Sequence, residues 1–310
     1  MLARITVVAL NTYREAVRAR VLHGLFALAI ATAGYSLVVG AFALNSSLRV
    51  VSDLGAASIS IYGVVVAVVL GATSLYRELE LKTIFPILAR PIRRSEYLVG
   101  KYLGTVLTLA VFIAANSGVL LLALGVVAGR SIAAPLSFVA SVTLVAGVLA
   151  FRFARVRTYL PILWALLVLL AGAYLAGDAP DDRRVVLGSA LLTLSEVALV
   201  TAIATLFSAF SSPFLSAVFT FGLFAVGRSA DTLARLPARV VGPILAGLGR
   251  LLAKLVPNLM LYVPPRPLLT GEATGPSLLS YLGMAALYSL AWSVLLLTCA
   301  SILFRRRDFL

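Results

Sequence analysis

The sequence predicts an all-α polytopic membrane protein, a single domain over residues 1–310 with about eight transmembrane helices. Hydrophobic residues make up 61% of the 310 residues and charged residues only 12%, whereas a soluble domain carries about 25% charged residues. Apolar segments of about 20 residues recur, each long enough to cross ~30 Å of hydrocarbon as a helix. They lack the period-two alternation of a transmembrane β-barrel, so the spans are predicted to be helices.

The apolar segments follow a polar N-terminal segment. Residues 1–20 suit an amphipathic helix on the membrane surface, because Arg4, Glu15 and Arg18 fall on one polar stripe at helical spacing. This basic segment is longer than the start of a signal peptide, so we expect the first span to be retained. The predicted spans cover about 22–44, 57–75, 102–128, 136–151, 159–176, 186–209, 214–227 and 279–303.

Residues 228–278 separate the last two spans and contain no clear span of their own. Arg239, Arg250 and Lys254 form a basic stripe on a predicted helix whose remaining surface is apolar. Prolines at 264, 265 and 267 favour an extended link to the last span. We expect one or two helices that lie in, or re-enter, the outer membrane surface.

The net charge of +14 would suggest nucleic acid binding in a soluble protein, but here it is interpreted as a topology signal. Sixteen basic residues lie in the N-terminal segment, in 76–101, in 152–157 and at the C-terminus, against four in the short loops opposite. Basic residues flank spans on the cytoplasmic side, so both termini are expected there. Six more basic residues in 228–278 would then face outward, which departs from this rule. Nucleic acid is not expected as a partner.

Several kinds of chemistry are excluded by missing residues. A phosphate-binding loop needs G-x-x-x-x-G-K-[ST], but Ser95 stands in place of the first glycine and Tyr102 follows Gly100-Lys101. The single histidine, His23, excludes an H-E-x-x-H zinc site. We expect no catalytic residue, metal or cofactor in this chain.

Two groups of acidic residues leave rival functions open. Asp178, Asp181 and Asp182 are most simply a solvated turn, but they could hold Mg²⁺-bound diphosphate in a membrane enzyme that acts on lipid-linked substrates. Glu196 lies near the middle of the predicted sixth span, where an ionisable residue is a functional candidate by default.

Asn116 in the third span is a weaker case of an intramembrane polar contact. We favour hydrogen bonding within or between helices for both Asn116 and Glu196, with Thr193 and Ser195 as partners of Glu196; such bonds contribute about 0.6 kcal/mol on average. An ion-coupled secondary carrier that uses Glu196 is the other rival.

Residues 76–101, here called the coupling segment, form the one long polar run between apolar segments in the first half of the chain. Pro91 ends a helix and redirects the chain, which predicts a bent corner between two short helices. Acidic residues alternate with basic ones around an apolar centre, unlike an ordinary positively charged loop.

The coupling segment resembles the cytoplasmic signature of type-2 ATP-binding-cassette (ABC) exporter permeases. Glu78 and Glu80 match its acidic pair, Arg90-Pro91-Ile92 its turn, and Glu96-Tyr97-Leu98 with Gly100-Lys101 its end, while Lys82 replaces the usual glycine before Thr83. Segments 11–18, 207–213 and 304–309 are similar to the subgroup linked to multicopper-enzyme (nitrous-oxide-reductase) maturation.

The resemblance implies a non-enzymatic permease subunit of an exporter that works as a dimer with two ATPase subunits in a bacterial or archaeal inner membrane. The second permease is expected to be an identical copy, with a different permease as the alternative. ATP and Mg would bind in the ATPase. Residues 136–177 would be a hairpin inserted into a six-span core, and 228–278 would be outer gate helices. The residues implied for ATPase coupling are Glu78, Glu80, Thr83, Phe85, Arg90, Pro91, Arg93, Arg94, Glu96 and Lys101.

The resemblance also implies a transport pathway between two permease copies, in contact with membrane lipids. The first, second and seventh spans are expected to line it. Gly34, Gly40, Gly63 and Gly71 would permit close approach of helices there.

Overall fold

The computed structural model describes residues 2–43, 46–80, 93–153, 156–272 and 277–306. All regular structure in these residues is helical, which confirms the all-α prediction. Two short 3₁₀ turns, Ala176–Asp178 and Met260–Tyr262, accompany the α-helices. The helices are α1 Leu2–Val17, α2 Arg20–Phe42, α3 Ser47–Glu80, α4 Arg94–Val127, α5 Ala133–Arg152, α6 Leu160–Leu175, α7 Pro180–Ser208, α8 Pro213–Arg228, α9 Ala230–Ala234, α10 Ala238–Val241, α11 Pro243–Leu255, α12 Arg266–Thr270 and α13 Leu278–Arg306.

Seven of the described helices are long and apolar enough to cross a membrane, namely α2, α3, α4, α5, α6, α7 and α13. This supports a multi-pass membrane protein. The predicted seventh span corresponds to α8, which is apolar but has only 16 residues. Its length of ~24 Å falls short of the ~30 Å hydrocarbon layer. Among the described residues, seven helices are therefore long enough to span, and the predicted count of about eight stays a prediction.

The centre of the bundle is formed by α3, α4 and α7. The two helices α3 and α7 lie close together at Gly71, where a Cβ atom would lie 2.5 Å from the Cβ of Ala204. Gly63 of α3 also faces α7, at Val197. Both glycines are expected to serve contact along a pathway between two copies, but both face α7 of the same chain. Gly71 lets α3 pack closely there, whereas a Cβ atom on Gly63 would make only an ordinary van der Waals contact at 3.4 Å.

The other two glycines of that prediction lie on α2. A Cβ atom on Gly40 would lie 2.8 Å from Val51 at the start of α3, so Gly40 also serves packing within the chain. Gly34 has no atom within contact distance of its Cβ position.

The two helices of the predicted hairpin are packed unequally. α6 lies directly on α4, since a Cβ on Gly172 would be 2.6 Å from the carbonyl oxygen of Gly118. α5 is largely exposed and contacts α6, where Trp164 Nε1 donates to Thr143 Oγ1 at 3.0 Å. The bundle core therefore includes α6, and α5 lies outside it.

One end of the bundle, here called the α1 end, gathers α1, the start of α4, the start of α6 and the end of α13. Arg94 Nη1 donates to the carbonyl oxygen of Phe304, and Arg14 Nη2 donates to the Tyr159 hydroxyl. The segments predicted to share the cytoplasmic side lie together here.

The opposite end, the α12 end, gathers the starts of α3 and α7 with α12. Arg266 of α12 is paired with Asp53 and, at 2.5 Å, with Asp182, and Arg130 is paired with Asp178 at 2.8 Å. The stretch between α8 and α13 therefore reaches the same end as the loops that carry few basic residues.

Candidate functional site

Part of the predicted coupling segment lies outside the described residues. For Glu78 and Glu80 the structure describes only the helical backbone at the end of α3. The segment is described again from Arg93 onward, which includes Arg94, Glu96 and Lys101. The predicted site residues that lie outside the described part of the chain are Thr83, Phe85, Arg90 and Pro91.

Glu96 lies in the first turn of α4 and stabilises the start of this helix. The backbone N–H of Arg93 donates to Glu96 Oε2 at 3.3 Å, which is half of a capping box, and a carboxylate in the first turn also stabilises the helix dipole. Arg4 of α1 lies 3.9 Å from the same oxygen. Glu96 is buried, so it holds α4 and α1 together within the chain.

Lys101 is the most constrained cation of the site, with only 3% of its surface exposed. Its ammonium donates to the carbonyl oxygen of Ser74 on α3 at 3.3 Å and lies 3.6 Å from Glu15 Oε2 on α1. It also lies 5.9 Å from the centre of the Tyr97 ring. A buried ammonium is costly unless it is paired, so this one side chain fixes α3 and α1 to α4.

Further contacts attach the start of α4 to its neighbours. Arg94 Nη1 donates at 3.2 Å to the carbonyl oxygen of Phe304 in the last turns of α13, where a cation also stabilises the helix dipole. Gly100 lies against Val8 of α1, and a Cβ atom there would be 2.6 Å from the Val8 Cβ. Tyr13 of α1 is fully buried, and burial raises the pKa of its hydroxyl to about 12.

The second polar site is an ion pair inside the bundle. Glu196, near the middle of α7, is fully buried. Arg228 Nη2 lies 2.9 Å from Glu196 Oε1, and its hydrogen bond is directed to Oε2 at 3.0 Å. Ser60 of α3 donates to Oε2 at 3.3 Å and accepts from Arg228 at 3.2 Å. Three helices, α3, α7 and α8, therefore meet at one carboxylate.

The sequence pattern identifies Glu196 but not its partners. Ser195, predicted as a partner, donates to the carbonyl oxygen of Leu191 in its own helix. The sequence pattern places Arg228 in the stretch 228–278, but this arginine directly follows the apolar run of α8. That position is the signal from which its contact with the bundle could be predicted. Asn116, the other predicted polar contact, donates to the carbonyl oxygen of Phe112 at 2.8 Å, so its described bond is intrahelical.

The three aspartates of the rival enzyme hypothesis are paired with three different arginines. Asp178 pairs with Arg130 and Asp182 with Arg266. Asp181 lies 3.8 Å from Arg184. Among the residues that the structure describes, no group of three or more histidine, cysteine or acidic side chains could hold a metal ion. The pairing of each aspartate with an arginine thus favours a structural role for all three.

No protein-family model matches the chain, and no curated protein is significantly similar to it. The function of the chain is therefore argued from its own residues. Two features carry that argument, the buried contacts at the start of α4 and the Glu196–Arg228 pair.

Proposed function

We propose that the chain is the transmembrane permease subunit of an ABC exporter, which couples ATP hydrolysis by a separate ATPase subunit to movement of a substrate across the membrane. The observation that carries this proposal is the position of Lys101. It ends the segment that resembles the coupling signature and is bonded to both α1 and α3. A displacement of the coupling segment is thereby transmitted to two further helices.

The lengths of α3 and α4 support the same mechanism. Each helix has 34 residues, which corresponds to ~51 Å, well beyond the ~30 Å of a hydrocarbon layer. The coupling segment joins these two helices beyond the Lys101–Ser74 bond. A force applied to the segment outside the membrane would therefore tilt α3 and α4 as a pair.

Closure of two ATPase subunits around ATP and Mg would supply that force, acting on two copies of the permease. Arg94 would pass it on to α13 through its bond to the carbonyl oxygen of Phe304. The substrate is then expected to move between the two copies.

The first experiment tests attachment of the ATPase. The chain is co-expressed with the ATPase encoded beside its gene, and the substitutions E78A, R93A and R94A are combined. We expect less co-purified ATPase and hydrolysis that no longer responds to the permease. The matched control, R235A/R239A/E272A, removes the same charges from exposed positions in the outer stretch and should leave both unchanged.

The second experiment separates attachment from transmission. Lys101 is buried, so K101M should keep co-purification of the ATPase while hydrolysis loses its dependence on the permease. Unchanged binding and coupling in the E78A/R93A/R94A variant would remove the proposal.

An ion-coupled carrier is the second candidate function, because Glu196 is a buried carboxylate among the spans. Its pairing with Arg228 favours a structural role for the carboxylate. Substrate transport by the purified chain in vesicles without any ATPase would support the carrier instead. The third candidate, a membrane enzyme, would be dismissed by full function after replacement of Asp178, Asp181 and Asp182 together.

A further inference from the structure

A cavity rich in arginine opens at the α1 end, between α1, the start of α2 and the start of α6. Its volume is 460 Å³, within the range of small-molecule sites, and we call it the basic cavity. Three arginines and one histidine line it, and none of its lining residues is acidic. The lining residues are Arg14, Val17, Arg18, His23, Arg157, Thr158 and Pro161.

An apolar groove of 180 Å³ continues from the basic cavity between α2, α4 and α6. The two spaces share Val17, His23 and Pro161, so they form one continuous surface. The ring of Phe26 packs edge-on against that of Trp164 in this groove, with centroids 6.2 Å apart. The other residues that line only the groove are Leu22, Thr108, Val111, Phe112 and Ala115.

We propose that the basic cavity and the apolar groove together bind one anionic phospholipid, with its phosphate against the arginines and an acyl chain in the groove. Arginine binds phosphate oxygens through two parallel hydrogen bonds and stays charged at all physiological pH values. Basic pockets between membrane helices bind anionic headgroups for this reason. The site does not depend on the proposed transport function.

Among the residues that the structure describes, no ion pair neutralises an arginine of the basic cavity. Glu15, an acidic residue of α1, is directed to Lys101 on the other side of that helix. Arg14 is held in place by Tyr159, because its Nη2 donates to the hydroxyl at 2.7 Å and its guanidinium lies 5.5 Å from the centre of the ring. Arg18 and Arg157 are exposed, so their guanidinium groups are accessible to a ligand.

The groove is what favours a lipid over a soluble anion. Its surface is almost entirely apolar and opens between helices that span the membrane, where an acyl chain is available. The basic cavity lies at the ends of those helices, at the level of lipid headgroups. A free phosphate ion would use the arginines but leave the groove unoccupied.

Trp164 lines the groove and supplies the measurement, because Trp292 is the only other tryptophan of the chain. In the W292F variant, purified in nonionic detergent, fluorescence is quenched with phospholipid brominated on its acyl chains. Brominated phosphatidylglycerol should quench at about tenfold lower concentration than brominated phosphatidylcholine. This preference should fall to about twofold or less in W292F/R18Q/R157Q, since each basic residue near an anionic headgroup contributes about fivefold in affinity.

Control variants separate the site from general charge effects. R250Q/K254Q removes two exposed basic residues of α11 and should keep the preference in the W292F background. R18K/R157K retains the two positive charges and should keep most of the preference for the anionic lipid. If R18Q/R157Q elutes as aggregate, the single variant R157Q is measured in its place. The preference for phosphatidylglycerol should then decrease about fivefold.

Three outcomes would overturn the proposal. Equal quenching by the two brominated lipids in W292F would show that the groove contacts lipid without selecting the headgroup. A preference that survives R18Q/R157Q would place the anion elsewhere. Loss of the preference with 10 mM inorganic phosphate, but not with chloride at the same ionic strength, would make the basic cavity a site for small anions rather than for a lipid.

Discussion

At the scale of single residues, Glu196 and Arg228 determine how three helices meet inside the bundle. The glutamate is fully buried, and the arginine side chain is 22% exposed. Removal of one partner from a buried pair leaves an uncompensated charge and costs about 3–5 kcal/mol, whereas replacement of both by residues of similar size is often nearly neutral. The pair therefore specifies the position of α8 more than it stabilises the fold.

The first prediction follows from that asymmetry. R228M should lower the free energy of unfolding by about 3 kcal/mol, and the double variant E196Q/R228M should recover most of this loss. Unfolding in mixed micelles with increasing SDS measures the free energy of unfolding of the single and the double variant. Additive losses in the double variant would show that the two side chains do not depend on each other, and T73A, an exposed position of α3, provides the neutral control.

Tyr13 gives a prediction that depends on pH. Its side chain is fully buried, its hydroxyl has no hydrogen-bond partner among the described residues, and its pKa is raised to about 12. A raised pKa in the folded state means that the unfolded chain loses its proton first, so the contribution of this group is complete below pH 10 and is lost as the pH rises toward 12. Y13F cannot ionise and escapes this loss.

Y13F should therefore equal or slightly exceed the wild type in stability at pH 8, because it removes an unpaired buried hydroxyl. Its advantage should grow by about 2 kcal/mol between pH 10 and pH 12. The unfolding free energies of the two proteins, measured in parallel across this range, test the prediction. A constant difference across the range would contradict it.

At the scale of elements, the contact between α4 and α6 depends on two glycines. A Cβ atom on Gly172 would lie 2.6 Å from the carbonyl oxygen of Gly118, and one on Gly118 would lie 2.7 Å from the backbone nitrogen of Leu169. No side chain fits between these backbones. The two helices can touch only because both positions lack a Cβ, as small residues allow in membrane proteins.

G172A should therefore separate α6 from α4 and lower the free energy of unfolding by about 1–3 kcal/mol. Gly147 of α5 is the matched control, because nothing lies within 4 Å of its Cβ position. G147A should be neutral or stabilising by up to about 1 kcal/mol, since alanine favours a helix. Thermal unfolding in detergent compares the two variants. Equal effects would show that the close contact between α4 and α6 does not contribute to stability.

The helices themselves were predictable, because apolar length and the lack of alternation are local properties of the chain. The partner of Glu196 was not, since Arg228 is 32 residues away and only the packing of α8 against α7 brings them together. The expected role of Gly63 and Gly71 failed for the same reason: a small residue shows that helices approach closely but not which helix approaches. The resemblance to the permease signature identifies Lys101 as a coupling residue, but its bonds to α1 and α3 are visible only in the fold.

At the scale of the whole molecule, the ion pairs divide the described chain into two polar ends. The α1 end contains the basic segments, while at the α12 end Arg266 and Arg130 are balanced by aspartates. Of the basic residues in 228–278, Arg266 is paired with aspartates at the α12 end and Arg228 with Glu196 inside the bundle.

The α1 end is accordingly expected in the cytoplasm, and labelling of single cysteines tests this. C299S removes the only cysteine, and T6C at the α1 end or S131C and S277C at the α12 end introduce exposed ones. A maleimide that cannot cross membranes should label S131C and S277C in intact cells and T6C only after permeabilisation. The reverse pattern would place the coupling segment outside the cell, where ATP is not available, and would remove the permease proposal along with the topology.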